Sequence, residues 1–396
     1  MDGTGESRSS LSRLALFSYG FRPFFLGAGL WAAAAMALWI AMLTTGLELP
    51  SRFVPLAWHI HEMLFGFVLA AVAGFLLTAI PNWTGRAPVS GAALATLFGL
   101  WALGRVVSLV SAWMPAWLAI AADLAFPLAL AAVVAREILL SGNRRNFPII
   151  VPVAVLALAD LSTDLGLEGF REASGYGWRL GLAGILTLIS VIGGRIVPSF
   201  TRNWLVSRRQ ARLPAAPGVI DGLSLGFLHA SLLAWALAPE ARAAGIALLC
   251  AAVVNLRRLA RWRGMDTRSE PLLLVLHVGY AWLVLGVGAL GAAVLDPRIP
   301  LSAAIHALTA GAIGTMILAV MTRAIRGHTG QKLSADPTTI LIYALATLAA
   351  LARVAAALSQ AASADLLLAA AALWIGAFGL FALRHAPLLL RARSER

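Results

Sequence analysis

Twelve apolar runs, each long enough to cross a bilayer as a helix, account for most of this 396-residue chain. They lie near 22–46, 56–80, 89–111, 116–140, 146–165, 178–200, 217–238, 241–260, 271–295, 301–322, 338–359 and 363–384. About 20 residues rising ~1.5 Å each cover the hydrocarbon layer of a membrane. A soluble interior cannot hold so many runs of that length in a chain that is 60% hydrophobic and 12% charged, with a mean hydropathy of +0.84. The strands of an outer-membrane barrel would read as short alternating segments, and disorder needs far less apolar surface than this. The expected fold class is an all-α polytopic membrane protein with about 12 transmembrane helices. It forms one transmembrane domain over 22–384, between tails at 1–21 and 385–396.

The formal net charge of +13 would suggest nucleic acid in a soluble protein. Here 23 of the 31 Lys and Arg fall on one side of the apolar runs, in the tails and the even-to-odd loops. That bias is the positive-inside pattern of a multi-pass membrane protein, with both termini cytoplasmic and no nucleic-acid partner expected. The first 20 residues carry Arg8 and Arg13 without an apolar core or a small-residue cleavage site, so the first span is expected to be uncleaved. Trp58, Trp83, Trp113, Trp117, Trp178 and Trp204 fall near span ends, as an interfacial aromatic belt would place them.

The chain repeats itself weakly. TAIPNWT at 78–84, RIVPSFT at 195–201 and RAIRGHT at 323–329 end spans 2, 6 and 10 at spacings of about a third of the chain. His61 and His306 each precede the final threonine of their unit by the same interval, and each is followed five residues later by glycine, Gly66 and Gly311. LFGLWALGRV at 97–106 aligns with LATLAALARV at 345–354, which makes Arg105 and Arg353 equivalent as well. The pattern predicts three pseudo-symmetric four-helix units rather than two six-helix halves.

An ionisable side chain inside a membrane span is costly unless paired, so each is a site candidate. His61 and His306 share one depth and one repeat position, with an arginine at the same level in each unit. That layer suits haem: two axial imidazoles, with Arg105 and Arg353 for the propionates. The plain alternatives are neutral imidazoles bonded to carbonyls, and arginines bonded to carbonyls or to Asp123 and Asp160. His59 and His61 point about 200° apart on an ideal helix, so one haem face cannot use both. His59 could serve a second metal with Glu62, or both could simply be solvated at the interface. His229, His277 and Asp160 are candidates for a second cofactor site or a proton relay, against the alternative of satisfied bundle residues. Loop or head-group contact accounts for His328 and His385. With Cys250 the single cysteine, a disulfide or thiolate cage within the chain is excluded. No His/Cys/Met cluster specifies copper, and no catalytic residue stands out. The sequence contains no phosphate-loop, zinc-protease or nucleophile-elbow motif.

FRPFF at 21–25, WHIHEMLFGF at 58–67, GFLLTAIPNWTGR at 74–86, RIVPSFTRN at 195–203 and the segment 311–330 together resemble the NnrS family over nearly the whole chain. The resemblance implies a twelve-span bacterial inner-membrane protein containing haem and copper, produced in response to nitric oxide and linked to denitrification or protection from nitrosative stress. Nitric oxide or a related small molecule, and a respiratory or denitrification complex, are the partners it suggests beside the lipid bilayer. The catalytic subunits of haem-copper oxidases are more loosely similar, but span 6 lacks histidine here and span 7 has no adjacent histidine pair. The alternative function is secondary transport of a small solute or metal complex, with Arg105, Arg353 and Asp160 along the path.

Overall fold

The structure, a computed structural model, describes residues 15–391 apart from 170 and 360. Among the described residues there are twelve helices long and apolar enough to span a membrane. They are α1 (Phe21–Thr45), α2 (Pro55–Thr84), α3 (Gly91–Trp113), α4 (Ala116–Leu140), α5 (Arg144–Leu167), α6 (Gly175–Ser207), α7 (Val219–Leu237), α8 (Arg242–Ala260), α9 (Pro271–Leu295), α10 (Leu301–His328), α11 (Pro337–Leu358) and α12 (Ser363–Leu390). No strand occurs among the described residues. Short connections make neighbours in sequence neighbours in space, and the bundle closes where α12 packs on α1. Arg22 ties this closure, donating to the main-chain oxygens of Leu389 and Arg391 at 3.0 and 2.7 Å.

The expected repeat has a structural counterpart in α2, α6 and α10. These three helices line one apolar cavity of about 70 Å³, walled by Val68 and Phe75, Ile189 and Ile192, and Ile313 and Met316. Each also contains a π-helical stretch, at Glu62–Val68, Ile189–Gly193 and Ala307–Gly314. Such stretches insert a residue into the helical register and redirect the side chains around them. In α2 and α10 the stretch begins immediately after the repeat-equivalent histidine, His61 or His306.

Four helices outrun their expected ends. α2, α6, α10 and α12 continue to Thr84, Ser207, His328 and Leu390, against expectations of 80, 200, 322 and 384. Apolar windows stop where polar residues begin, whereas the backbone ladder continues into a helix end that is only partly apolar. Residues 385–390 therefore belong to α12 rather than to a tail, while 1–14 and 392–396 lie outside the described residues. His385, expected at a loop or head group, is buried, with Nδ1 2.9 Å from the Phe381 carbonyl. His328 stacks on Phe21 at the foot of α1, 5.3 Å between ring centroids. Trp58 also departs from the belt expected of it: it is fully buried beside Ala35, Met42 and Phe53. Trp113 and Trp117 do fit an interfacial belt, at 76% and 70% exposed.

Asp336 caps α11 by accepting from the Thr339 amide at 2.8 Å, and it pairs with Arg326 and Arg384. Burial alone would raise its carboxyl, but the Thr339 bonds and the two guanidiniums outweigh burial and hold it at about 2. Asp336→Ala should cost ~0.5–2 kcal/mol, the usual worth of an N-cap, read as a lower thermal midpoint in detergent at pH 7. A depressed carboxyl stabilises fully above its unfolded value near ~4. The gap between wild type and variant should therefore shrink as pH falls from there toward about 2.

Candidate functional site

Two sites lie toward the end of the bundle at which α2 and α10 begin, and the histidine pair of α2 divides between them. His61 enters a closed cluster built by α2, α3, α4 and α5. Its Nδ1 lies 3.0 Å from Glu62 Oε1, and its Nε2 lies 3.0 Å from Asp160 Oδ1 and 2.9 Å from Asp123 Oδ2. Arg105 bridges the same carboxylates, with Nη1 2.7 Å from both Glu62 oxygens and Nη2 2.8 Å from Asp123 Oδ1. Trp31 of α1 donates to Glu62 Oε2 at 2.7 Å, and the Phe53 ring lies 4.6 Å from that of His61. All five ionisable groups are at most 5% exposed.

Glycine makes this density possible. A Cβ at Gly66 would sit 2.7 Å from Arg105 Nη1, Glu62 Oε2 and Trp31 Nε1, and one at Gly104 would sit 2.7 Å from Asp123 Oδ1. Such contacts leave no room for a larger residue, so Gly66, singled out by the repeat, has a local physical role beside the histidine it follows. Gly311 in the third unit makes room for a ring instead, since its Cβ would strike Trp282.

The second site is a cavity of about 450 Å³ between α1, α2, α6, α10, α11 and α12. His59, His306 and Arg353 reach it, among Met36, Trp39, Met63, Trp178 and Trp374. Its size falls within the roughly 300–1,000 Å³ of small-molecule and cofactor sites. The His59 ring stacks on Trp39 at 4.7 Å and 18°, and its Nδ1 is buried without a hydrogen-bond partner. His306 Nδ1 lies 2.7 Å from the Ser302 carbonyl, so this nitrogen carries the proton and Nε2 keeps its lone pair. Arg353 Nη2 donates to Ser302 Oγ at 3.1 Å.

The four residues expected around one haem thus separate. His306 and Arg353 line the cavity, while His61 and Arg105 lie in the cluster, with both His61 nitrogens facing carboxylates. His59, expected beside Glu62, lines the cavity without it. Glu62 turns to His61, Arg105 and Trp31. His229 bonds Ser190 Oγ at 2.7 Å and His277 bonds Thr201 Oγ1 at 2.9 Å, apart from both sites. Asp160 belongs to the cluster.

A further buried network escaped sequence reasoning. Arg258, near the end of the eighth apolar run, is 3% exposed. It donates to Asp221 Oδ1 at 3.0 Å and to the Tyr280 hydroxyl at 2.9 Å, and that hydroxyl donates to Asn255. The available signal was an aspartate in the first turn of α7 opposite an arginine in the last turn of the adjacent α8.

A family model described as NnrS protein matches residues 15–393. The chain belongs to the NnrS family. No curated protein matches it. Membership agrees with the architecture, a multi-pass helical membrane protein whose apolar helix faces contact lipid.

The repeat-equivalent arginines should respond unequally to truncation. Arg105→Ala leaves Glu62 and Asp123 buried without their cation, a loss on the order of 3–5 kcal/mol for a broken buried pair. Arg353→Ala removes one hydrogen bond at a cavity wall and should cost about 1 kcal/mol. Thermal stability by fluorescence-detected size exclusion separates the two, and equal losses would contradict the division into a closed cluster and an open cavity.

Proposed function

We propose that this protein binds haem in the cavity shared by His59, His306 and Arg353, and serves the response to nitric oxide from the bacterial inner membrane. Membership of the NnrS family supports a membrane protein of the nitric oxide response. The Arg and Lys bias supports an orientation with both ends of the chain in the cytoplasm.

The observation that carries the haem reading is the pair of imidazoles facing one largely apolar space. His59 lines the cavity with its ring stacked on Trp39, and His306 has its other nitrogen anchored to a carbonyl. An anchored N–H of that kind fixes the tautomer of a ligating histidine and aims its lone pair. The residues therefore fit the group: His59 and His306 would hold the iron, and Arg353 would face a propionate. Bound haem would supply an iron centre able to take nitric oxide as a ligand. The chain's own part is to fix the tautomer of His306, to wall the site with Trp39, Trp178 and Trp374, and to keep a guanidinium at its edge. Met36 and Met63 place soft sulfur donors on the same cavity, so the metal analysis includes copper.

The transport alternative needs Arg105, Arg353 and Asp160 along one path. Arg105 and Asp160 are held within the cluster and Arg353 lies on the cavity, an arrangement that favours cofactor binding over a shared solute route.

The test is the visible spectrum of protein purified from a haem-replete host, recorded oxidised, dithionite-reduced and after nitric oxide, with haem and copper quantified on the same sample. The wild type and His229→Ala should show a Soret band that shifts with nitric oxide, and His59→Ala and His306→Ala should each lose or displace it. A colourless, folded wild type would sink the reading and favour transport. Co-purification of a respiratory or denitrification complex would identify the partner.

A further inference from the structure

The cluster around His61 is short of positive charge. Glu62, Asp123 and Asp160 are at most 5% exposed, and Asp164, one turn beyond Asp160, is 4% exposed. Among the described residues their counter-charge within the cluster is Arg105. Four buried carboxyl groups share that one guanidinium where water is scarce. A divalent cation would offset that excess.

Geometry shows where the cation goes. His61 Nδ1 is committed to Glu62 Oε1 at 3.0 Å, leaving Nε2 to face two carboxylate oxygens at once. One N–H cannot serve both. Asp160 Oδ1 is in line with Nε2, whereas Asp123 Oδ2, though only 2.9 Å away, has no aligned donor. The three atoms lie within 4.8 Å of one another. Separations of 2.9 and 3.0 Å from the nitrogen are close to what neighbouring positions of an octahedron give for bonds of about 2.1 Å. Glu62 supplies the outer carboxylate that orients a ligating imidazole. The second oxygens of Asp160 and Asp164 are also buried without partners.

We infer that His61 Nε2, Asp123 Oδ2 and Asp160 Oδ1 bind a divalent first-row transition-metal ion of the Mn(II), Fe(II) or Zn(II) class. One imidazole among carboxylate oxygens matches that class, since it offers no thiolate or thioether. Beside the site a cavity of about 20 Å³, room for about one water, is walled by Asp123 and Asp164 and lies against Arg52 and Glu168. Those two form a partly exposed ion pair at 2.6 Å, so the ion's approach and a water ligand come from this side. None of the three ligands lines the cavity of His59 and His306, so the site stands whether or not haem binds there. Bound metal joins α2, α4 and α5, with Arg105 of α3 braced against the same carboxylates.

The test uses full-length protein in detergent, stripped with chelator and titrated with Co(II) as the optical probe, with Mn(II) and Zn(II) as competitors and metal content measured after desalting. One tightly held ion per chain is expected, competed by Zn(II). Asp160→Asn and His61→Gln should weaken it at least tenfold, and Glu62→Gln by roughly 10–100-fold, the usual effect of an outer-shell partner. His306→Ala should retain it. Loss of the ion in His306→Ala, or binding unchanged in a folded Asp160→Asn, would overturn the assignment and mark the metal as a cavity or adventitious ion. Should the variants fail to fold, the wild type decides: no saturable one-to-one Co(II) binding overturns it. A lost Soret band with metal binding intact refutes only the haem reading, and the converse refutes only this one.

Discussion

Ionic groups inside a membrane bundle are tolerated only in company, and that requirement organises the first five helices of this protein. Arg105 on α3 can be there because Glu62 on α2 and Asp123 on α4 each lie within 2.8 Å of its guanidinium. Asp123 and Asp160 in turn face His61. Each group compensates a neighbour on another helix, so the cluster sets the relative heights of four helices more stringently than apolar packing alone. The glycines at 66 and 104 are the packing consequence, removing the side chains that would hold the helices apart.

The repeat shows how one scaffold position is put to two uses. His61 and His306 each stand directly before a π-helical stretch, and Arg105 and Arg353 are equivalent one helix later. In the first unit three acidic partners surround these positions and draw them into a closed cluster. In the third unit the acids are absent, so His306 turns to a main-chain carbonyl and Arg353 to a serine hydroxyl, leaving a cavity open between them. His59, two residues before His61 and therefore on the other side of α2, completes that cavity. A single helix thus supplies one histidine to each site, so the two can be occupied independently.

Length and hydropathy already determined a twelve-helix membrane bundle, because crossing a bilayer demands a run of a particular length whatever the helices pack against. The repeat was legible for the same local reason, since it lies in the order of residues along α2, α3, α10 and α11. Membership of the NnrS family was legible in short strings such as WHIHEM at 58–63. What these could not supply was pairing. Equal depth placed His61 with His306, yet depth is one coordinate of three, and the direction of each ring depends on which helix lies beside it and whether that helix brings an acid. Helix ends such as α6 and α10 were hidden by their polar residues, and Arg258 was hidden because its partner Asp221 belongs to another helix. Only the tertiary structure decided which histidine meets carboxylates and which meets an apolar space, because charge compensation in a low-dielectric interior acts across helices and leaves no periodic trace along any one of them.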